Sequence, residues 1–118
     1  MYTVKIISDF NGAHNLRGYE GACENLHGHN WKVEAFVGSE TLDNLGMVVD
    51  FKVVKKFLFE ILDKLDHTYL NELSPFTEIN PTSENIAKYI FDSLSQKIKN
   101  LKKINVWETD TSCASYER

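Results

Sequence analysis

Cysteine is scarce in this chain, and long apolar runs are missing. The 118 residues contain two cysteines, Cys23 and Cys113, too few for a disulfide framework. No apolar run approaches the roughly 20 residues that a membrane-spanning helix needs. The first residues lack the basic region, apolar core and small-residue cleavage site of a signal peptide. We therefore expect a cytoplasmic protein without a membrane partner, whose cysteines stay thiols.

A surplus of positive charge is also missing. The chain has 13 basic and 17 acidic residues, which gives a formal net charge of −4. This balance argues against a general nucleic-acid or membrane-surface binder. A small anionic ligand is still compatible, because a local group of lysines can oppose the global charge. The length and the ordinary apolar fraction of 42% predict a single domain over residues 1–118.

Alternation of apolar and polar residues predicts two strands, over residues 2–10 and 31–38. The segment between them holds four glycines and three of the four histidines, which is typical of a long functional loop. If the second strand begins near Leu26, His27 and His29 lie on the same face, because side chains repeat every two residues.

The second half of the chain predicts two helices and a further strand. A short strand ends at Asp50, which caps a helix over residues 51–67. Thr82 or Ser83 caps a second amphipathic helix, and residues 103–109 form a strand with Glu108 on one face. Residues 112–118 either extend the sheet or fray. This order predicts an α+β fold, an antiparallel sheet with both helices on one face. Val, Ile and Trp side chains on the other face favour oligomerisation.

The histidines are the first candidate functional group. A His-x-His pair on a strand aims two neutral imidazoles at one point, which suits zinc. His14 follows the first strand and can join His27 and His29, which gives the three-ligand pattern of an open catalytic zinc site. Two alternatives stay open at this point. Cys23 can close the site as a fourth ligand of a structural zinc, or the histidines can be solvated surface residues.

Two further candidates carry acid–base groups. Asp66 precedes His67 at the end of the first helix, and a carboxylate bonded to one ring nitrogen fixes the tautomer of an imidazole. A solvated helix end is the plainer interpretation of this pair. Glu108 lies on a strand face, where a carboxylate needs a partner if it is buried. The plainer interpretation is a solubilising charge on an edge strand.

Five short motifs occur together in one order and spacing. They are "AH" at 13–14, "CENLHGHN" at 23–30, "LDHTYLN" at 65–71, "PTSEN" at 81–85 and "WET" at 107–109. With them the chain resembles the 6-pyruvoyltetrahydropterin synthase family, which includes the 6-carboxytetrahydropterin synthases of queuosine biosynthesis. The resemblance runs from about residue 4 to residue 112.

The resemblance implies a role for each matched position. His14, His27 and His29 match the zinc ligands of the family, and Cys23 its proton-transferring cysteine, which leaves the zinc site open. Asp66 and His67 match the companion catalytic pair. The pterin-binding positions of the family fall on Glu108 and, more loosely, on Thr82 and Ser83. The implied fold is the tunnelling fold (T-fold), a four-stranded antiparallel sheet with two helices. Trimers that stack into a homohexamer with intersubunit active sites are implied as well.

The resemblance also implies a substrate, 7,8-dihydroneopterin triphosphate, and two possible products. One subgroup forms 6-carboxy-5,6,7,8-tetrahydropterin with release of acetaldehyde and triphosphate, and another eliminates triphosphate to form the 6-pyruvoyl product. A third subgroup carries glutamate in place of the cysteine and makes a hydroxymethyl pterin. The four-residue step from Cys23 to His27 resembles the carboxy-forming type, although Glu24 lies next to Cys23. A non-catalytic module that binds zinc or pterin is the remaining alternative.

Overall fold

A long two-stranded hairpin forms the centre of the fold. The computed structural model describes residues 1–21 and 24–118, and in it β1 (Tyr2–His14) pairs antiparallel with β2 (His27–Ser39). The register runs without interruption from the Tyr2–Ser39 pair to the His14–His27 pair. The predicted end of the first strand at residue 10 is therefore wrong. The asparagine and glycine that follow residue 10 are typical of a loop. In the fold, however, they pair with the start of β2, and the ladder satisfies their backbone hydrogen-bonding groups.

Both helices begin at the predicted capping residues. The Asp50 side chain accepts a hydrogen bond from the backbone nitrogen of Lys52 and caps α1 (Phe51–Asp63). Thr82 does the same for the nitrogen of Asn85 at the start of α2 (Ser83–Ser95). Residues 47–50 are not a strand, contrary to the prediction. In the described residues, no helix is long and apolar enough to cross a membrane.

The first helix ends four residues before its predicted end at residue 67. His67 has a φ of 55°, in the left-handed region, so the helix cannot continue through it. The chain then forms the two-residue strand β3 (Thr68–Tyr69), which pairs in parallel with β1. Long-range pairing with β1 therefore decides where this segment turns, and the helical periodicity of the sequence does not.

The sheet has five strands in the order β3-β1-β2-β4-β5. β4 is Leu101–Thr109 and β5 is Ser112–Glu117, so the C-terminal segment extends the sheet. The α+β T-fold with two helices is confirmed, with five strands where four were predicted and with the short β3 parallel.

The two faces of the sheet differ more than the sequence suggests. One face and the two helices enclose the core, whose largest members include Trp31, Phe10, Phe91 and Leu58. The opposite face carries Ile7 and Trp107, but also a buried carboxylate, Glu34. Glu34 accepts hydrogen bonds from the side chains of Trp107 and Asn105 and pairs with Lys5. The expected isoleucine and tryptophan therefore lie on this face, but the strand valines face the helices and the face also carries polar groups.

Candidate metal centre and acid–base pair

The loop end of the β1–β2 hairpin brings three histidines together. His14 ends β1 and lies opposite His27, the first residue of β2, while His29 lies opposite Gly12. Side chains at these positions share the helix-covered face. The Nε2 atoms of His14 and His27 are 2.9 Å apart, and the His29 ring centroid lies 4.9 Å from that of His27. The predicted cluster of three histidines is therefore present in the fold.

Backbone carbonyls fix the orientation of two of these rings. Nδ1 of His14 donates to the carbonyl oxygen of Pro81, and Nδ1 of His27 donates to that of Asn25, each at 2.7 Å. A carbonyl can only accept, so each Nδ1 carries a proton, and in the neutral ring Nε2 then presents a lone pair. Such outer contacts are usual for metal-binding histidines.

Glu108 completes the group from the third strand of the cluster, β4. Its Oε1 lies 2.9 Å from Nε2 of His29, 3.2 Å from Nε2 of His14 and 3.8 Å from Nε2 of His27. The four ligand atoms lie within 4.8 Å of one another. The interpretation of Glu108 as a solubilising charge on an edge strand is therefore wrong, since β4 lies inside the sheet and the carboxylate faces the histidines.

The donor atoms of this cluster fit a divalent metal ion. Two lone-pair nitrogens, on His14 and His27, face each other at 2.9 Å, which is repulsive unless a cation lies between them. Nε2 of His29 is buried without a hydrogen-bond partner. Burial lowers the pKa of His29, and the neighbouring imidazoles lower it further, while Glu108 opposes them. Neutral imidazoles with a carboxylate are a ligand set that zinc and related metals accept.

Asp66 and His67 form a hydrogen-bonded pair attached to β1. Oδ1 of Asp66 accepts from the backbone nitrogen of Asn11 at 2.8 Å, and Oδ2 lies 2.9 Å from Nδ1 of His67. The backbone nitrogen of His67 donates to the carbonyl of Asn11. The Asn11 N–H and the bond to His67 hold the pKa of Asp66 below its ordinary value. The pair is thus more than a solvated helix end, because β1 holds it in place.

A shared cleft connects the pair to the histidine cluster. The cleft has a volume of about 580 Å³, and its lining includes His29, His67, Gly28, Asn30 and Tyr69. The side chain of His67 is 77% exposed, so its Nε2 is free to meet a ligand. The cleft therefore borders one histidine of each group.

The other three predicted site residues are Thr82, Ser83 and Cys23. Thr82 and Ser83 directly follow Pro81, whose carbonyl holds His14, and the Thr82 hydroxyl is occupied as the helix cap. They therefore lie beside the metal cluster, and a contact with a ligand remains a prediction. Cys23 falls outside the described residues, so its role also stays a prediction.

Sequence reasoning missed the groups that orient the site. The carbonyls of Asn25 and Pro81 and the backbone of Asn11 hold the functional side chains in place. Backbone groups leave no residue-type signal, so no motif could have identified them. The proximity of Glu108 to the histidines, 94 residues from His14 along the chain, was missed for the same lack of a local signal.

Known proteins resemble the chain over nearly its whole length. A Synechocystis protein named 6-carboxy-5,6,7,8-tetrahydropterin synthase is 40% identical over 113 residues, covering 91% of this chain and 86% of its own. The human protein named 6-pyruvoyl tetrahydrobiopterin synthase is 37% identical over 119 residues, covering 96% and 79%. The solved structure of the Caenorhabditis elegans 6-pyruvoyl tetrahydropterin synthase superposes with a TM-score of 0.92 at 28% identity, covering 99% of this chain and 95% of its own.

The sequence profile described as 6-pyruvoyl tetrahydropterin synthase matches residues 3–118. This match covers every motif on which the resemblance was based, and the fold and the histidine cluster agree with it. The chain therefore belongs to the 6-pyruvoyl tetrahydropterin synthase family.

Proposed function

We propose that the protein is a zinc-dependent lyase that converts 7,8-dihydroneopterin triphosphate and water to 6-carboxy-5,6,7,8-tetrahydropterin, acetaldehyde and triphosphate, in queuosine biosynthesis in the cytoplasm. One observation carries the proposal. One cleft is lined by His29, a member of the three-histidine metal cluster, and by His67, the exposed member of the Asp66–His67 pair. The relatives named 6-carboxy- and 6-pyruvoyl-forming synthases support pterin chemistry at that cleft.

His14, His27 and His29 are the residues that would hold the metal. The hydrogen bonds to Pro81 and Asn25 direct the lone pairs of two rings inward before any ion binds, which reduces the ordering that binding requires. A zinc ion held there supplies Lewis-acid polarisation of oxygens on the side chain of the substrate.

His67 moves protons on that side chain. Nδ1–H of the ring donates a hydrogen bond to Asp66, so Nε2 presents a lone pair to the cleft and can accept a proton from a substrate carbon. The bond between Asp66 and the Asn11 N–H keeps the carboxylate ionised and in position, which stabilises the ring when it becomes positively charged. Cys23 is proposed as the second proton carrier, a role that the sequence motif supports.

Glu108, Thr82 and Ser83 are proposed to bind the pterin ring. The 2-aminopyrimidinone edge of a pterin offers two parallel N–H donors, and one carboxylate can accept both in bidentate fashion. Glu108 is half-buried, with 28% of its side chain exposed, which leaves it accessible to a ligand. Thr82 and Ser83 lie beside the cluster at the start of α2.

A homohexamer, as the resemblance implies, is part of the proposal. Among the described residues, the outer edge of β5 has no strand partner. The outer edge of β1, at the other side of the sheet, pairs in that part of the chain only through Gly12 and Ala13, with β3. Such edges present backbone groups that a strand of another copy can pair with. Pairing of β5 with the next β1 can close three copies into a ring. Native mass spectrometry tests this assembly, and a monomer at micromolar concentration contradicts it.

The 6-pyruvoyl product is the second candidate, favoured by the similarity to the human relative. Mass spectrometry of the product that zinc-loaded protein forms from 7,8-dihydroneopterin triphosphate separates the two reactions. A 6-carboxy product with acetaldehyde supports the proposal, and a 6-pyruvoyl product contradicts it in favour of triphosphate elimination.

A Cys23→Ala variant tests whether the protein is catalytic, with Cys113→Ala as the matched control. If Cys23→Ala loses turnover but retains zinc, while Cys113→Ala keeps both, the result supports a catalytic thiol. Loss of zinc in that variant indicates a closed structural site, and absence of turnover in the wild-type protein indicates a non-catalytic module that binds zinc or pterin.

A further inference from the structure

We infer that Glu108 is a fourth metal ligand in the substrate-free protein and closes the site that the three histidines leave open. The inference rests on the metal-binding part of the proposed function and is independent of the pterin product. It assigns Glu108 a second role beside pterin binding. The carboxylate binds the metal when the cleft is empty and is released when a pterin takes its place.

The distances around the carboxylate match a four-coordinate site. Zinc bonds of about 2.0–2.2 Å in a tetrahedron place neighbouring ligand atoms about 3.3–3.6 Å apart. The distances from Oε1 of Glu108 to the three histidine Nε2 atoms, 2.9, 3.2 and 3.8 Å, span that value. Glu108 therefore occupies the corner of the tetrahedron that three protein ligands would otherwise leave to water or substrate.

Nε2 of His14 lies 3.2 Å from Oε1 of Glu108, within hydrogen-bond distance, but hydrogen bonding from neutral rings does not account for this position of the carboxylate. Nδ1 of His14 and of His27 donates to a backbone carbonyl, so Nε2 of each neutral ring has no proton to give to Glu108. Nε2 of His29 is 2.9 Å from Oε1 but makes no hydrogen bond of acceptable geometry. A negatively charged oxygen beside lone-pair nitrogens is repelled. A cation between them turns the same arrangement into attraction.

This double use of Glu108 orders the binding events. The two contacts compete because Oε1 is turned toward the histidines in the substrate-free site, whereas a bidentate contact needs both oxygens turned toward the pterin edge. A pterin that takes the carboxylate therefore opens the fourth position on the metal, where the side chain of that pterin can then enter. By thermodynamic linkage, a pterin without a side chain must weaken metal binding, because it removes a ligand and replaces it with nothing.

The first test is metal affinity without any substrate. We would titrate the full-length wild-type protein and the Glu108→Gln and Glu108→Ala variants with Co²⁺ and Zn²⁺ against a competing chelator. Asp110→Asn is the matched control, since it removes one negative charge from the exposed turn after β4 without touching the cluster. We expect Glu108→Ala to weaken metal binding by about 100-fold or more and to change the visible spectrum of bound Co²⁺. Loss of a residue that only hydrogen-bonds to a metal ligand typically weakens metal binding by roughly 10–100-fold. The control stays within threefold of wild type.

Each outcome decides the inference. The inference is overturned if both Glu108 variants match the control in metal affinity and in Co²⁺ spectrum. That result leaves the zinc site of the proposed function intact. Failure of the wild-type protein to bind either metal overturns both. Glu108→Gln keeps the side-chain shape, so it carries the test if circular dichroism shows that Glu108→Ala does not fold.

The second test uses unsubstituted pterin, which lacks the side chain. We expect it to lower the metal affinity of the wild-type protein by at least about fivefold, with no effect on that of Glu108→Gln. An equal effect on both proteins, or on neither, contradicts the exchange of Glu108 between metal and pterin.

Discussion

The Asp66→Asn substitution tests the acid–base pair with the least disturbance of shape. In the wild-type protein one carboxylate oxygen accepts from the Asn11 N–H at 2.8 Å and the other accepts from Nδ1 of His67 at 2.9 Å. An amide has one oxygen and one NH₂ group, so it can serve only one of these donors. If the oxygen keeps Asn11, the NH₂ group faces Nδ1 and His67 must adopt the other tautomer. Nε2 then carries the proton and cannot act as a base.

The expected loss of kcat is about 100-fold. Removal of general acid–base assistance typically costs 10²–10⁴-fold. The low end applies here because the His67 side chain is 77% exposed, so water can solvate either tautomer and part of the population keeps the active form. Zinc affinity should not change, because Asp66 is not among the four metal-cluster residues.

Steady-state turnover of 7,8-dihydroneopterin triphosphate, with zinc content measured on the same samples, is the assay. Asp63→Asn, at the exposed end of α1, is the control and should keep wild-type kcat. A kcat for Asp66→Asn within threefold of wild type would refute the proposed orientation of His67. A parallel loss of zinc would instead assign Asp66 to the metal site.

Three further predictions concern stability. His67→Gly should be about 1 kcal/mol more stable than His67→Ala in urea unfolding, because glycine tolerates the φ of 55° at this position better than alanine does. Both variants should lose turnover. Equal stability of the two variants contradicts backbone strain at residue 67. Glu34→Gln should reduce the free energy of unfolding at pH 7 by about 1.5–3 kcal/mol, the range for hydrogen bonds to a charged group. Burial raises the pKa of Glu34, but hydrogen bonds led by that of Trp107 outweigh it and hold the pKa below its ordinary value, so this stability is lost as the pH falls through the folded-state pKa. The difference between Glu34→Gln and wild type should therefore shrink in strong acid, and a constant difference contradicts the argument. Chelation of the metal should lower the melting temperature of the wild-type protein but not that of His27→Ala. A metal at a free concentration of about 1,000 times its Kd stabilises the folded state by about 4 kcal/mol. Equal shifts in both proteins contradict metal binding at His27.

Local chemistry explains the features that could be predicted from the sequence. Asp50 and Thr82 cap their helices through contacts two or three residues away, so the sequence is enough to place these ends. The His27–Gly28–His29 spacing puts two imidazoles on one face wherever a strand forms. A family pattern spread over the chain then added the partners that spacing cannot identify.

Long-range contacts explain what the sequence could not provide. The four residues that carry β1 to His14 resemble a loop in composition and become strand only because β2 pairs with them. The left-handed turn at His67 and the attachment of Asp66 to Asn11 depend on β1 lying alongside. Glu108 reaches the histidines because β4 lies next to β2, a neighbour set by the packing of the whole sheet. Residue identity and spacing thus specify the ligands and caps, and pairing between distant segments specifies which of them meet.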